Sequence, residues 1–157
     1  MNFCKRVGLK RIIFTISSII IIGFIFLQSF KPGAVSSSDS GRVLAFLNKI
    51  ASCIGFDNPF THEFVRTCAH FTEFFVLGMS LLFMYRTYFK KLLVNDVVST
   101  VSASVIALCD ECIQLFTEGR AFQVADLLID TAGAFSSVVI ISALIFICVN
   151  KHRIQRG

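Results

Sequence analysis

With 157 residues, 55% hydrophobic side chains and 18 phenylalanines, at a mean hydropathy of +0.75, the chain carries more apolar surface than a soluble fold of this size can bury. Its net charge of +5 invites a nucleic-acid partner, but the basic residues flank apolar runs instead of forming one patch, which argues for membrane anchoring and against nucleic acid. The expectation is one all-α membrane domain over residues 1–157.

Lys5, Arg6, Lys10 and Arg11 precede an uncharged run from Ile12 to Phe30, 19 residues long. That is close to the roughly 20 needed to span a hydrocarbon core. It exceeds the apolar region of a signal peptide, and no small-residue cleavage pattern follows it, so it is expected as an uncleaved first span. Lys31-Pro32-Gly33 ends that helix, and Ser36 to Gly41 reads as a polar loop. Val43, Leu44, Phe46, Leu47, Ile50, Ala51 and Ile54 then recur at helical spacing, opposite Arg42, Asn48 and Lys49. This stretch is too polar to span and is expected as an amphipathic helix lying in the interface; a helix packed across the mouth of the bundle is the alternative. Asn58-Pro59 reads as a helix cap followed by proline at the first helical position. The remaining spans are expected at about 68–89, 97–116 and 125–149. Ser99, Thr100, Ser102 and Ser104 open the third, and Gly119 suits the position that ends it. The six cysteines, Cys4, Cys53, Cys68, Cys109, Cys112 and Cys148, lack paired zinc-type spacing and read as small hydrophobes, with a Cys53–Cys68 bridge as the alternative.

Lysine and arginine counts set the orientation. With the N-terminus inside, Lys5, Arg6, Lys10, Arg11, Arg86, Lys90, Lys91, Lys151, Arg153 and Arg156 flank the inner side. Lys31, Arg42, Lys49, Arg66 and Arg120 flank the outer side, so the balance is ten to five. Four spans with both termini cytoplasmic are expected.

That topology brings distant polar residues to one depth. Arg66, His70 and Glu73 share a face of the second span, Asp110 and Gln114 a face of the third, and Asp126 and Asp130 a face of the fourth. With Glu111 and Arg120 they lie within a few turns of the outer surface, at about 1.5 Å per residue. A charged side chain deep in a bilayer costs at least ~2.5–3.5 kcal/mol, so such faces point toward one another or toward water. A polar pocket open to the outside is expected. Several residues also have a plainer role: Asp126 complements a helix dipole, Glu118 is a solvated loop charge, Arg66 and Arg120 neutralise nearby carboxylates, and His70 taken alone is a satisfied core histidine. Cys109-x-x-Cys112 inside an apolar helix is a weak redox signal.

The segment Arg66-x-x-x-His70-Phe71-x-Glu73 resembles a signature of VanZ-like membrane proteins. So does the block Asp110-Glu111-x-x-Gln114-x-Phe116-x-x-Gly119-Arg120, followed by Asp126, Asp130 and Gly133. Gln28 and the Ser36–Ser40 cluster resemble the family's first loop. The resemblance implies a multi-pass protein of a bacterial cytoplasmic membrane, associated with resistance to the glycopeptide teicoplanin. Three functions stay open. The pocket binds a cell-envelope ligand, such as a lipid-linked cell-wall precursor or a glycopeptide-like molecule, with Arg66 and Arg120 on phosphate or carboxylate. Alternatively His70, Glu73, Asp110, Glu111 and Asp130 hold a divalent cation, the candidate cofactor, in an enzyme acting on a lipid-linked substrate. With one histidine in the layer, oxygen ligands favour magnesium or calcium over zinc. Proton-coupled transport ranks last, because the inner halves of the spans offer only serine and threonine.

Overall fold

The computed structural model describes residues 3–154, with side chains over residues 8–151. The chain forms five helices: α1 Phe3–Ser29, α2 Gly33–Cys53, α3 His62–Tyr85, α4 Leu92–Leu115 and α5 Val124–Ile154. No strand occurs among the described residues. Four stretches are long and apolar enough to cross a membrane: Gly8–Ser29, His62–Arg86, Leu92–Leu115 and Val124–Lys151. Cys4, Lys5, Arg6, Arg153 and Arg156, which entered the cysteine and charge readings, have side chains outside the described residues.

α1 stops before Lys31-Pro32 because the residue ahead of a proline is driven out of the helical region. The expected serine loop does not form. Pro32 itself serves as N-cap, with no side-chain cap, and its carbonyl accepts from Val35 N at 3.0 Å and Ser36 N at 3.1 Å. The reason is periodicity: Ser36, Ser40, Val43 and Leu47 recur at intervals of four, three and four, so the serines continue the stripe that the apolar residues begin. α2 ends at a left-handed Gly55, with φ +90.

Asn58-Pro59 does not start α3. Asn58 takes a left-handed turn at φ 46, a conformation asparagine tolerates better than most residues. The Asn48 amide then clasps the chain, accepting from Phe60 N at 3.1 Å and donating to its carbonyl at 3.3 Å. Thr61 takes the cap, accepting from Phe64 N. Gly119 is also displaced from its expected role. The α4 cap is Phe116, and Gly119 (φ +71) lies in the following turn. There its backbone packs on Gly33, where a Cβ would run into the Gly119 carbonyl.

α3 is the central element and touches each of the other four helices. Ile25, Phe74, Leu77, Leu81, Ala103, Ala107 and Ala134 form the core. Small residues let backbones approach closely, which drives helix association where lipid removes the hydrophobic incentive. The exposed apolar residues, such as Ile19, Ile20, Leu93, Val101, Phe146 and Ile147, form the belt a lipid-facing surface requires. The opening polar residues of α4 divide their labour: Ser99, Thr100 and Ser104 bond their own helix backbone, whereas Ser102 bonds Tyr85 at 2.9 Å. Cys53, Cys68, Cys109, Cys112 and Cys148 are free and exposed, so no Cys53–Cys68 bridge forms.

Candidate functional site

One end of the bundle collects the polar residues singled out above. Helical spacing puts Arg66 and His70 one turn apart on α3, and Asp126 and Asp130 one turn apart on α5. The two helices meet along these faces, with Arg66 paired to Asp126 and His70 Nδ1 3.2 Å from Asp130 Oδ1. With its amide oxygen turned inward, Gln123 also accepts from Arg66, at 2.7 Å from Nη2. On α4, Gln114 Nε2 donates to Asp110 Oδ2 at 2.9 Å, and the Ser29 hydroxyl of α1 donates to Asp110 Oδ1. Glu111 Oε2 accepts from Gln123 N at 2.7 Å, holding the entrance to α5. Arg120 donates to the Gln28 carbonyl at 3.2 Å, and Thr117 Oγ1 to the Ser29 carbonyl at 3.0 Å.

These nine residues separate into two tiers. Arg66, His70, Glu73 and Arg120 line a cavity of about 540 Å³. Its other side is α2, which presents Ser36, Asp39, Ser40, Val43 and Leu47, and its rim carries Gln28, Ser29 and Lys31. Asp110, Glu111, Gln114, Asp126 and Asp130 do not reach the cavity; all five are buried, Glu111 and Asp130 at 0% exposure. These five therefore form a buried floor to the chamber that Arg66, His70, Glu73 and Arg120 line. Arg120 lies outside the spans. Burial, reinforced by the nearby Arg66 charge, holds its pKa below the ordinary guanidinium value. It makes no ion pair among the described residues.

The floor is not fully satisfied. Glu111 Oε1, Gln114 Oε1 and Asp130 Oδ2 are buried without a hydrogen-bond partner among the described residues, a costly state for polar atoms in a low-dielectric interior. One ligand atom each from His70, Asp110 and Asp130 lie within 4.8 Å of one another. One imidazole and two carboxylates at that separation suit a hard divalent cation. Glu73 and Glu111 stand apart from that triad.

Two participants escaped sequence reasoning. Ser29 ends α1 one residue short of the close of the first apolar run, and the Gln28-Ser29 pair there was the available signal. Gln123 had none, because an isolated glutamine in a short loop is unremarkable until Arg66 and Glu111 meet there. The opposite end holds a smaller polar group: Arg86 Nη2 donates to Ser142 at 2.8 Å, and Ser142 in turn to Asp96 at 2.8 Å.

The architecture is that of an all-helical multi-pass membrane protein with charged residues gathered in one layer of its spans. The VanZ/LLP1 family profile matches residues 14–147, most of the chain, and the protein belongs to the VanZ-like family. Among curated proteins and among solved structures, no match to the chain is found.

Proposed function

We propose that the protein is a single-domain receptor in a bacterial cytoplasmic membrane whose cavity opens outward and binds the anionic headgroup of a cell-envelope or lipid-linked molecule. In this reading Arg66, His70, Glu73 and Arg120 touch the ligand, while Asp110, Glu111, Gln114, Asp126 and Asp130 position them. The observation that carries it is Arg120, a half-buried guanidinium lining the cavity without a carboxylate partner among the described residues. A guanidinium so placed favours phosphate or carboxylate over neutral ligands. The family resemblance extends this to a role in glycopeptide resistance. α2 lies in the interface and roofs the cavity; the exposed Phe46, Ile50 and Ile54 face the lipid.

The basic asymmetry supports the outward orientation. Single cysteines placed in a background without the native ones should be labelled from outside at Ser37 and Gly119, and protected at Lys91. Labelling at Lys91 with protection at Ser37 inverts the molecule and removes the argument for an outer ligand.

A second reading, a divalent-cation enzyme, is favoured by the His70–Asp110–Asp130 triad and the partnerless Asp130 Oδ2. One measurement separates the two, because a ligand that binds only the folded state raises its melting temperature. Glycerol 3-phosphate should stabilise the purified protein but not Arg120→Gln. If instead manganese alone stabilises it, and Asp130→Asn abolishes that effect, the enzyme reading replaces the receptor.

A further inference from the structure

Beside the polar cavity runs an apolar groove of about 330 Å³, formed by Ile20, Phe24 and Ile25 of α1 and Val76 of α3. It lies within the spans and opens sideways, with Ile20 65% and Phe24 51% exposed. Thr72 and Glu73 line both this groove and the polar cavity. The Thr72 hydroxyl is satisfied within the helix by the Cys68 carbonyl at 2.7 Å. Glu73 has no side-chain hydrogen bond or ion pair among the described residues. One turn of α3 is thus shared by an apolar groove within the spans and a chamber lined by Arg120, which makes no ion pair among the described residues.

We propose that the occupant of these two adjoining cavities is a membrane lipid with an anionic headgroup, its chain in the α1–α3 groove and its headgroup at Arg120. This rests on the reading of the polar cavity as a headgroup site. A soluble anion would need the chamber and not the groove. A chain moving from bilayer to groove gains little from the hydrophobic effect, because lipid is as apolar as leucine. What the groove supplies is a route: the lipid enters from the side, its chain stays in hydrocarbon, and only its headgroup changes surroundings. Glu73 then faces the junction of head and chain, where its oxygens accept hydrogen bonds from hydroxyls.

The test uses full-length protein in phosphatidylcholine nanodiscs doped with a phosphatidylglycerol probe bearing a diazirine in its acyl chain. Photolysis should mark residues 20–25 and 72–76. Unlabelled phosphatidylglycerol should compete, and a phosphatidylcholine probe should label far less. Arg120→Gln should cut labelling about tenfold, the effect of losing one charge-assisted hydrogen bond. Val76→Trp should fill the groove and abolish labelling while leaving stabilisation by glycerol 3-phosphate intact. Equal labelling by both probes would mean ordinary boundary lipid and would overturn the inference. If glycerol 3-phosphate still stabilises the protein in an Arg120-dependent way, the headgroup site stands and only the groove falls. If neither probe nor soluble headgroup binds, both fall.

Discussion

Replacing Gly133 with valine is expected to separate α3 from α5 and leave the protein unstable in detergent. A Cβ at Gly133 would press into the Phe71 backbone, 3.2 Å from its carbonyl carbon and closer still to its oxygen. Gly78 faces the reciprocal problem, with a Cβ at 2.8 Å from Ala134 Cα. At Gly78 the Ser137 hydroxyl lies closer still, at 2.5 Å, but at both positions backbone atoms that cannot swing aside also stand in the way. Overpacking of a core typically costs about 1–3 kcal/mol, and here the upper end applies because relief requires moving a whole helix. The Arg66–Asp126 and His70–Asp130 contacts span the same seam and would part with it. Gly23→Ala is the matched control: a Cβ there meets nothing within 4 Å, and alanine favours a helix over glycine by about 0.5–1 kcal/mol. Thermal unfolding of the purified variants measures the difference. A Gly133→Val protein melting with the wild type would mean the two helices do not approach this closely.

The second large effect separates binding from scaffold among residues that the sequence treats alike. Glu73→Gln and Arg120→Lys should weaken ligand binding while melting near the wild type. Glu73 makes no side-chain hydrogen bond or ion pair among the described residues, and an ammonium cannot reproduce the guanidinium fork. The loss for Arg120→Lys should be severalfold, short of the roughly tenfold expected for Arg120→Gln, because lysine keeps the charge and gives up only the fork geometry. Asp110→Asn should behave differently. Both Asp110 oxygens accept, one from Ser29 and one from Gln114, so an amide must turn its NH2 toward Ser29, whose hydroxyl then has only the Ile25 carbonyl to donate to, and the bond that remains from Gln114 loses its anionic acceptor. A stability loss of about 1–3 kcal/mol follows. Glu111→Gln should be the mildest, since one oxygen still accepts from Gln123 N and the amide takes the position of the partnerless Oε1. Glu118→Gln and Lys49→Gln, both exposed, should be silent. Binding is read by titration with phosphatidylglycerol and stability by melting. If Asp110→Asn melts normally and Glu73→Gln binds normally, the two-tier division is wrong.

The helices were legible because long apolar runs, charge-free from Ile12 to Phe30 and from Thr131 to Asn150, leave few alternatives. The convergence of polar faces was legible because intervals of three and four fix a helix face, as for Arg66, His70 and Glu73. Tiers were not legible. Asp110 and Glu73 carry the same carboxylate at similar depth, and only the packing of α4 against α1 buries one while the other meets the chamber. Local capping misled for a related reason. Asn58-Pro59 has good N-terminal chemistry, yet the distant Asn48 clasps Phe60 and passes the cap to Thr61. The serines of α2 look like a loop one by one and like a helix only when their spacing is joined to Val43 and Leu47.

The charged floor has a consequence for how the protein is made. Ser29 and Asp110 stand 81 residues apart, Gln28 and Arg120 92, and His70 waits 60 residues for Asp130. A chain threaded into the bilayer span by span must therefore carry Ser29 and His70 without their partners until α4 and α5 arrive. Every earlier intermediate is incomplete at this layer, and only the arrival of the last span closes it. Seen from the insertion machinery, the floor is a latch that engages once, when the bundle is whole.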